Sequence, residues 1–193
     1  MCPKKWIVAT RNPHKLQELQ EIIKDDLFLE LLPTDFPPLE EPFSTLEANA
    51  WAKAYKVWHF LKKPVFAEDT GLEIDALDGK PGVHTARYGG INLTISQRRQ
   101  LVLKQLEGIT NRKARFRTVL VAIIQGIPHF FEGIVEGKIA EGESGSGGFG
   151  YDPIFTPDGY DQTFAELPTD VKNEISHRAR AVKKFLEFCK SIS

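Results

Sequence analysis

The chain has few of the features that mark a secreted or membrane-bound protein. Its 193 residues include only two cysteines, Cys2 and Cys189, which form neither a metal-ligand spacing nor a disulfide framework, so we expect free thiols in a reducing compartment. No apolar run approaches the ~20 residues that a membrane-spanning helix needs. Residues 1–5 lack the apolar segment of a signal peptide. The cytoplasm is therefore the expected location, with no membrane partner.

An excess of charge of either sign is also missing. Lys and Arg number 25, and Asp and Glu number 26. Nucleic-acid-binding proteins normally carry a marked positive excess, so we expect no nucleic-acid partner, although a local basic pocket could still bind a small polyanion. The hydrophobic content of 41% is ordinary for a globular protein. A chain of this length can bury a sizeable core, and we expect a single domain over residues 1–193.

Strand-like apolar runs alternate with segments of helical periodicity. Helical spacing of apolar residues begins near positions 16, 46, 94 and 175, and Ser44 with Glu47 has the spacing of a capping box for the second of these helices. The interleaving predicts an α/β or α+β fold with a mixed sheet. The strand-like runs lie at residues 6–9, 27–32, 65–67, 116–125 and 129–140.

Positive side chains occur at three places where an anion could bind. Lys15 follows the first strand at the start of a helix, whose backbone N–H groups attract anions; a capping turn with a solvated lysine is the alternative. Lys53 lies beside the apolar stripe of the second helix, so its amino group either reaches solvent or meets a negative partner. The third group lies at the start of the last helix and comprises Lys172, His177 and Arg178.

Three carboxylates have positions that suit a metal site. Glu68 and Asp69 follow a buried strand, and Glu41 lies in the loop ahead of the second helix. Clustered carboxylates at strand ends commonly hold Mg²⁺, which keeps several waters and uses few protein ligands. A solvated turn is one alternative. Another is the aspartic-protease triplet Asp-Thr-Gly, which would need a second triplet or a homodimer.

The segment Gly145–Gly150 has the G-x-G-x-x-G spacing of a dinucleotide fingerprint. The Asp152-Pro153 step that follows disfavours the helix such a fingerprint requires. We expect the glycines instead to bring Phe149 close to a flat ligand, as in base stacking. A flexible surface linker is the alternative.

In their order along the chain, these segments resemble the inosine/xanthosine triphosphate pyrophosphatase family from Ile7 to Leu186. The most specific part is Gly-Gly-Phe-Gly-Tyr-Asp-Pro at 147–153 with Ser-His-Arg at 176–178 downstream. Bacterial members usually have Asp-Asp-Ser-Gly where this chain has Glu68-Asp69-Thr70-Gly71, so which carboxylate binds the metal directly stays open. The other matching segments are residues 10–15, the Glu41 loop, Lys53, and residues 67–72, 81–83 and 86–88.

The resemblance implies Mg²⁺-dependent hydrolysis of ITP, dITP and XTP to the monophosphate and pyrophosphate, by a homodimer whose long twisted mixed sheet and helices form two lobes around a central cleft. It implies Asp69 as the general base, metal ligands among Glu41, Glu68 and Asp69, and substrate contact at Thr70. A non-catalytic purine nucleotide-binding regulator is the alternative, although it would not need the carboxylates. The implied phosphate-binding residues are Thr10, Arg11, Asn12, Pro13, His14, Lys15 and Lys53. The implied nucleobase pocket comprises Phe149, Gly150, Tyr151, Asp152, Lys172, His177 and Arg178.

Overall fold

A computed structural model of the protein describes residues 2–192, and over this range it contains seven β-strands and five α-helices. The strands are β1 (Lys5–Val8), β2 (Phe28–Leu31), β3 (Val65–Ile74), β4 (Pro81–Gly82), β5 (Lys113–Ile124), β6 (Ile127–Ile139) and β7 (Phe155–Pro157). The helices are α1 (Pro13–Ile23), α2 (Leu46–Leu61), α3 (Ile95–Gln105), α4 (Thr169–Ile175) and α5 (His177–Ser191). No helix in residues 2–192 has the length and apolar character needed to cross a membrane.

The strands form one mixed sheet in the order β2-β1-β3-β5-β6-β7, with β4 paired to β3. Strand β1 runs parallel to both β2 and β3. The pairs β3–β4 and β6–β7 are antiparallel. This arrangement confirms the predicted mixed α/β class, and it explains why the predicted strands alternate with helices, since parallel neighbours need crossover connections.

The chain divides into two compact units, and strands β3, β5 and β6 contribute residues to both. Unit 1 comprises residues up to 69, 118–133 and 176 onward, and unit 2 comprises 70–117 and 134–175. Each unit has its own apolar core. The core of unit 1 includes Trp6, Leu19, Phe66, Leu120 and Phe185. The core of unit 2 includes Leu72, Val102, Phe116, Phe155 and Phe164.

A disulfide between Cys2 and Cys189 joins the two ends of unit 1, with the Cα atoms 5.1 Å apart. The expectation of two free thiols is therefore wrong. The pairing follows from the packing of β1 against α5, where the rings of Trp6 and Phe185 meet edge to face at 4.9 Å. A separation of 187 residues gives no local sign of this contact.

Two helix starts differ from the prediction. The N-cap of α2 is Thr45, whose hydroxyl accepts from the Ala48 N–H, so the proposed Ser44 capping box is wrong by one residue. The last helical segment is two helices, because Ser176 lies between them with extended backbone and caps α5. The polar side chain of a serine readily takes this role.

Candidate functional site

In unit 1, the turn between β1 and α1 presents a capped helix start. Asn12 is the N-cap, and its side chain accepts from the N–H groups of His14 at 3.0 Å and Lys15 at 3.3 Å. The Thr10 hydroxyl accepts from the Asn12 N–H at 3.1 Å. Pro13 opens the helix, where its missing N–H costs nothing. These bonds fix the direction in which α1 leaves the sheet, and with it the position of Lys15.

The neighbouring Arg11 acts on a different part of unit 1. Its guanidinium donates to the carbonyls of Thr34 and Phe36, in the loop that follows β2. The residue itself is exposed. In this structure Arg11 therefore ties the turn after β1 to the neighbouring loop, which sequence reasoning did not predict.

The buried amino group of Lys53 pairs with two carboxylates. Its side chain is only 6% exposed, and its Nζ donates to the Glu41 carboxylate and to Asp69 Oδ1 at 3.3 Å. It also donates to the Glu68 carbonyl at 2.8 Å. Asn49, one turn earlier on α2, donates through Nδ2 to Asp69 Oδ2 at 3.1 Å. We call Glu41, Asn49, Lys53 and Asp69 the Lys53 cluster.

The two carboxylates of the Lys53 cluster differ in proton affinity. Burial opposes ionisation of Glu41, but the charge and hydrogen bond of Lys53 outweigh it and hold the pKa of Glu41 below its ordinary value. Burial raises the pKa of Asp69 more than the charge of Lys53 lowers it, and the Glu41 charge adds to the rise. Neighbouring carboxylates with opposite pKa shifts typically divide the roles of charge and base. Asp69 is the better proton acceptor of the two.

A second buried network surrounds Arg178. Its side chain is 1% exposed, with Nη2 donating to Glu68 Oε1 at 2.8 Å and Nε donating to both Glu68 oxygens at 2.9 and 3.0 Å. Its Nη1 donates to Glu18. Lys15 Nζ lies 3.3 Å from Glu68 Oε1. We call Lys15, Glu18, Glu68 and Arg178 the Arg178 network.

The electrostatics of the Arg178 network keep Glu68 ionised. Burial alone would raise the pKa of Glu68, but Arg178 and Lys15 outweigh it and lower that pKa to about 2. Burial also lowers the pKa of Lys15, against the opposing charge of Glu68. Glu68 therefore serves as the counter-ion of the buried Arg178 and the half-buried Lys15, a demand that leaves it poorly placed to give its charge to a metal.

The start of α5 lies directly against β6, also within unit 1. A Cβ at Gly133 would collide with the His177 carbonyl and would lie 2.5 Å from the Ala181 nitrogen. Only glycine allows this close approach. It fixes the position of His177, which is 4% exposed, and of Arg178 after it.

In unit 2, Phe149 is supported by an ion pair. The Phe149 N–H donates to Asp152 Oδ2 at 2.7 Å, and Lys172 Nζ donates to the same oxygen at 2.6 Å. The Lys172 ammonium lies 5.3 Å from the centre of the Phe149 ring, within cation–π distance. Gly148 has φ of 65° and abuts the Asp152 carboxylate. We call Phe149, Asp152 and Lys172 the Phe149 platform.

The other predicted residues of unit 2 are Tyr151 and Gly150, which flank the Phe149 platform in sequence, and Thr70 on β3. Tyr151 is buried and donates through its hydroxyl to the Thr85 carbonyl at 3.1 Å, and burial raises its pKa to about 12. Gly150 has φ of 66°, a conformation that favours glycine. Thr70 is half-buried on β3, directly after Asp69.

The structure separates the predicted residues into these groups and adds two that the sequence analysis missed. Within unit 1 it joins Glu41, Lys53 and Asp69, and it pairs the Arg178 guanidinium with carboxylates. The missed residues are Glu18 and Asn49. Each lies on the same helix face as a predicted lysine, three residues after Lys15 and four before Lys53, and this spacing was the available signal.

The Lys53 cluster has donors of the kind that Mg²⁺ prefers. The carboxylates of Glu41 and Asp69, which both pair with the amino group of Lys53, offer hard oxygen ligands. Within residues 2–192, no group of three or more His, Cys, Asp or Glu side chains is arranged to hold a metal ion. Mg²⁺ commonly uses only one or two carboxylates together with substrate phosphates and water, so two carboxylates fit this ion.

Comparisons with known proteins give a consistent result. The Ham1 family profile matches residues 6–188. A dITP/XTP pyrophosphatase of Porphyromonas gingivalis is 44% identical over 189 residues, covering 95% of this chain and 96% of its own. One from Flavobacterium johnsoniae is 40% identical over 185 residues, covering 95% and 96%. The solved structure of the Staphylococcus aureus Ham1 protein has a TM-score of 0.88 and 36% identity, covering 98% of this chain and 100% of its own.

Proposed function

Because this chain belongs to the Ham1 family, we propose that it is a pyrophosphatase that hydrolyses damaged purine nucleoside triphosphates. The substrates are ITP, dITP and XTP, and the products are the nucleoside monophosphate and pyrophosphate. Similar proteins named dITP/XTP pyrophosphatase support this activity. The observation that carries it is the Lys53 cluster, in which Lys53 and Asn49 hold the buried base candidate Asp69. The cytoplasm, which contains the nucleotide pool, is the proposed location.

Phosphate binding is assigned to the start of α1, to the half-buried Lys15 and to the buried Lys53. The N–H groups of the first turn carry partial positive charge, which favours phosphate oxygens. Lys15 and Lys53 add full charges whose partners, Glu68, Glu41 and Asp69, hold them in place. The segment 10–15 is thus assigned as one phosphate-binding turn, in which Arg11 supports the neighbouring loop.

Asp69 is assigned as the group that accepts the proton of the attacking water. A carboxylate held beside the attacking water is a common general base, and the hydrogen bond from Asn49 orients this one. Glu41 and Asp69 would hold Mg²⁺, which would neutralise phosphate charge and favour the departure of pyrophosphate. Water attacks the α-phosphorus, and the bond from that phosphorus to the oxygen bridging the α- and β-phosphates breaks. Lys53 stabilises the negative charge on the departing pyrophosphate. Glu68, engaged by Arg178, is assigned a supporting role.

Base recognition is assigned mainly to the Phe149 platform. The Phe149 ring would stack on any purine, which gives affinity without selectivity. Hypoxanthine and xanthine carry a carbonyl at the six-position, whereas adenine carries an amino group. Donors from Lys172 and the backbone of residues 148–151 would satisfy the carbonyl but would face another donor in adenine. Such a mismatch can change specificity by ~10⁴–10⁵.

A homodimer is part of the proposal, and an exposed aromatic face on α2 supports it. Trp51 and Tyr55, one turn apart on α2, are stacked at 5.2 Å and are 39% and 42% exposed. Large exposed aromatic groups are uncommon on monomers and typical of interfaces. Light scattering after size exclusion should give a mass of twice the 21.8 kDa of one chain. In Trp51→Glu the measured mass should fall to that of a single chain. A monomeric wild type contradicts the homodimer.

The experiment that tests the function is incubation of the purified protein with ITP, dITP, XTP and ATP in the presence of Mg²⁺. Anion-exchange chromatography should show loss of the first three with ATP nearly untouched. Asp69→Asn is the matched control, because it keeps the side-chain shape while removing the charge. Tight binding of ITP without turnover by the wild type would favour the alternative, a non-catalytic nucleotide-binding regulator.

A further inference from the structure

The loop that carries Phe149 has high intrinsic freedom. Gly145, Gly148 and Gly150 all have positive φ, at 83°, 65° and 66°, and residues 141–148 are exposed. Glycines lose more conformational entropy on ordering than any other residue. A stacking surface on such a loop needs external contacts to hold it before the ligand arrives.

One set of contacts comes from the segment after β7. The Gly147 N–H donates to the Ala165 carbonyl at 2.9 Å. The Thr163 hydroxyl donates to the Ser144 carbonyl at 2.8 Å, and the Ser144 hydroxyl donates to Glu166 at 2.6 Å. These bonds fix the beginning and the middle of the loop, and they leave its far end to other partners.

A second set comes from α3 and holds both ends of the loop at one side chain. Arg99 Nη2 lies 2.8 Å from Glu143 Oε2, and Nη1 donates to the Gly150 carbonyl at 2.9 Å. Gln100, the next residue, donates to the other Glu143 oxygen at 2.8 Å. The Arg99 side chain is 14% exposed. We call Arg99, Gln100, Glu143 and the Gly150 carbonyl the Arg99 clamp.

The chemistry of the clamp requires arginine. A planar guanidinium can donate in two fixed directions at once, whereas the ammonium of a lysine acts as a single point charge. The hydrogen bond from Arg99, followed by that from Gln100, outweighs burial and lowers the pKa of Glu143. Glu143 therefore stays ionised at neutral pH and keeps the guanidinium directed at the loop.

We propose that Arg99 is a positioning residue for base recognition, because its clamp orders the loop 143–150 and so pre-organises the Phe149 platform. This inference rests on the proposed function, which assigns Phe149 to the base. Arg99 needs no contact with substrate. Without it, the loop must be ordered at the expense of binding free energy, so KM should rise while the groups of the Lys53 cluster, and hence kcat, remain intact.

The experiment compares Arg99→Ala and Arg99→Lys with a matched control, Arg115→Ala. Arg115 lies on β5, where its Nε donates to Glu73 at 2.7 Å, away from the loop contacts described above. Arg99→Ala should raise KM for ITP about tenfold with kcat within about twofold, and Arg99→Lys should fall between it and wild type. Inhibition by IMP should weaken to the same extent, while inhibition by pyrophosphate should not change. Arg115→Ala should match wild type.

Hydrogen exchange of the nucleotide-free protein tests the clamp independently of turnover. Amides of residues 143–150 should exchange faster in Arg99→Ala and in Glu143→Gln, but not in Arg115→Ala. An unchanged KM in Arg99→Ala, or a fall in kcat at constant KM, overturns the inference. So does unchanged exchange in the loop. If wild type does not hydrolyse ITP, the proposed function fails, and exchange still decides whether Arg99 orders the loop.

Discussion

Replacing Arg178 by methionine should destabilise unit 1 strongly, because it leaves two carboxylates without their buried partner. Arg178 is 1% exposed and donates to both Glu68 and Glu18. Methionine fills a similar volume, so the change removes charge and hydrogen bonds more than it opens a cavity. Breaking a buried ion pair by removing one partner costs about 3–5 kcal/mol.

The lowered pKa of Glu68 gives a second value for the free energy that the Arg178 network contributes. The network lowers that pKa from 4.5 to about 2, and at ~1.4 kcal/mol for each pH unit the linkage contributes roughly 3 kcal/mol to the free energy of unfolding at neutral pH. Since the folded pKa lies below the unfolded one, this contribution is present above pH 4.5 and is lost as the pH falls toward 2. Both values indicate a cost of several kcal/mol for the loss of Arg178.

Urea unfolding in EDTA, at pH 7 and at pH 4, is the assay. In Arg178→Met, the largest group opposing burial is lost and Lys15 and His177 remain, so the pKa of Glu68 should rise and the variant should lose less stability at pH 4 than at pH 7. Glu68→Gln in the same background should recover part of the loss, and exposed Arg180→Met should stay within ~0.5 kcal/mol. A destabilisation below ~1 kcal/mol at pH 7, or one equal at both pH values, refutes the reasoning.

Three further predictions concern activity. Asp69→Asn should lower kcat by ~10² or more while circular dichroism shows an intact fold, and near-normal turnover would remove Asp69 as the base. EDTA should abolish ITP hydrolysis and added Mg²⁺ should restore it; turnover that persists in EDTA would exclude a metal requirement. Phe149→Ala should raise KM for ITP, dITP and XTP by one common factor of about tenfold, and a loss confined to one base would mean that Phe149 selects rather than stacks.

Elements whose signals are local could be predicted from the sequence. Two long apolar runs at 116–125 and 129–140 became β5 and β6, Lys113–Ile124 and Ile127–Ile139, because a turn at Gln125-Gly126 separates them. Lys53 was expected either to reach solvent or to meet a negative partner, because helical spacing put it beside an apolar stripe, and in the structure its ammonium pairs with carboxylates. Both inferences depend only on periodicity and on the cost of burying a charge.

Contacts between distant segments could not be predicted in this way. Arg178 and Glu68 are 110 residues apart, and a charge pattern at the start of α5 does not reveal which carboxylate will face it. The same applies to Glu18, whose burial depends on the docking of α1 against α5. The Cys2–Cys189 disulfide likewise depends on tertiary packing. The sequence resemblance identified the segments that carry Glu68 and Arg178 as important, whereas their pairing required the fold.

Hydrolysis at the α-phosphorus of ITP is tested most directly by carrying out the reaction in ¹⁸O-labelled water with Mg²⁺. The products should be IMP and pyrophosphate in a single step, with the label in the IMP phosphate, because water attacks the phosphorus nearest the nucleoside. Label in pyrophosphate would mean attack at the β-phosphorus. IDP and orthophosphate as first products, or no turnover of ITP, would contradict the account.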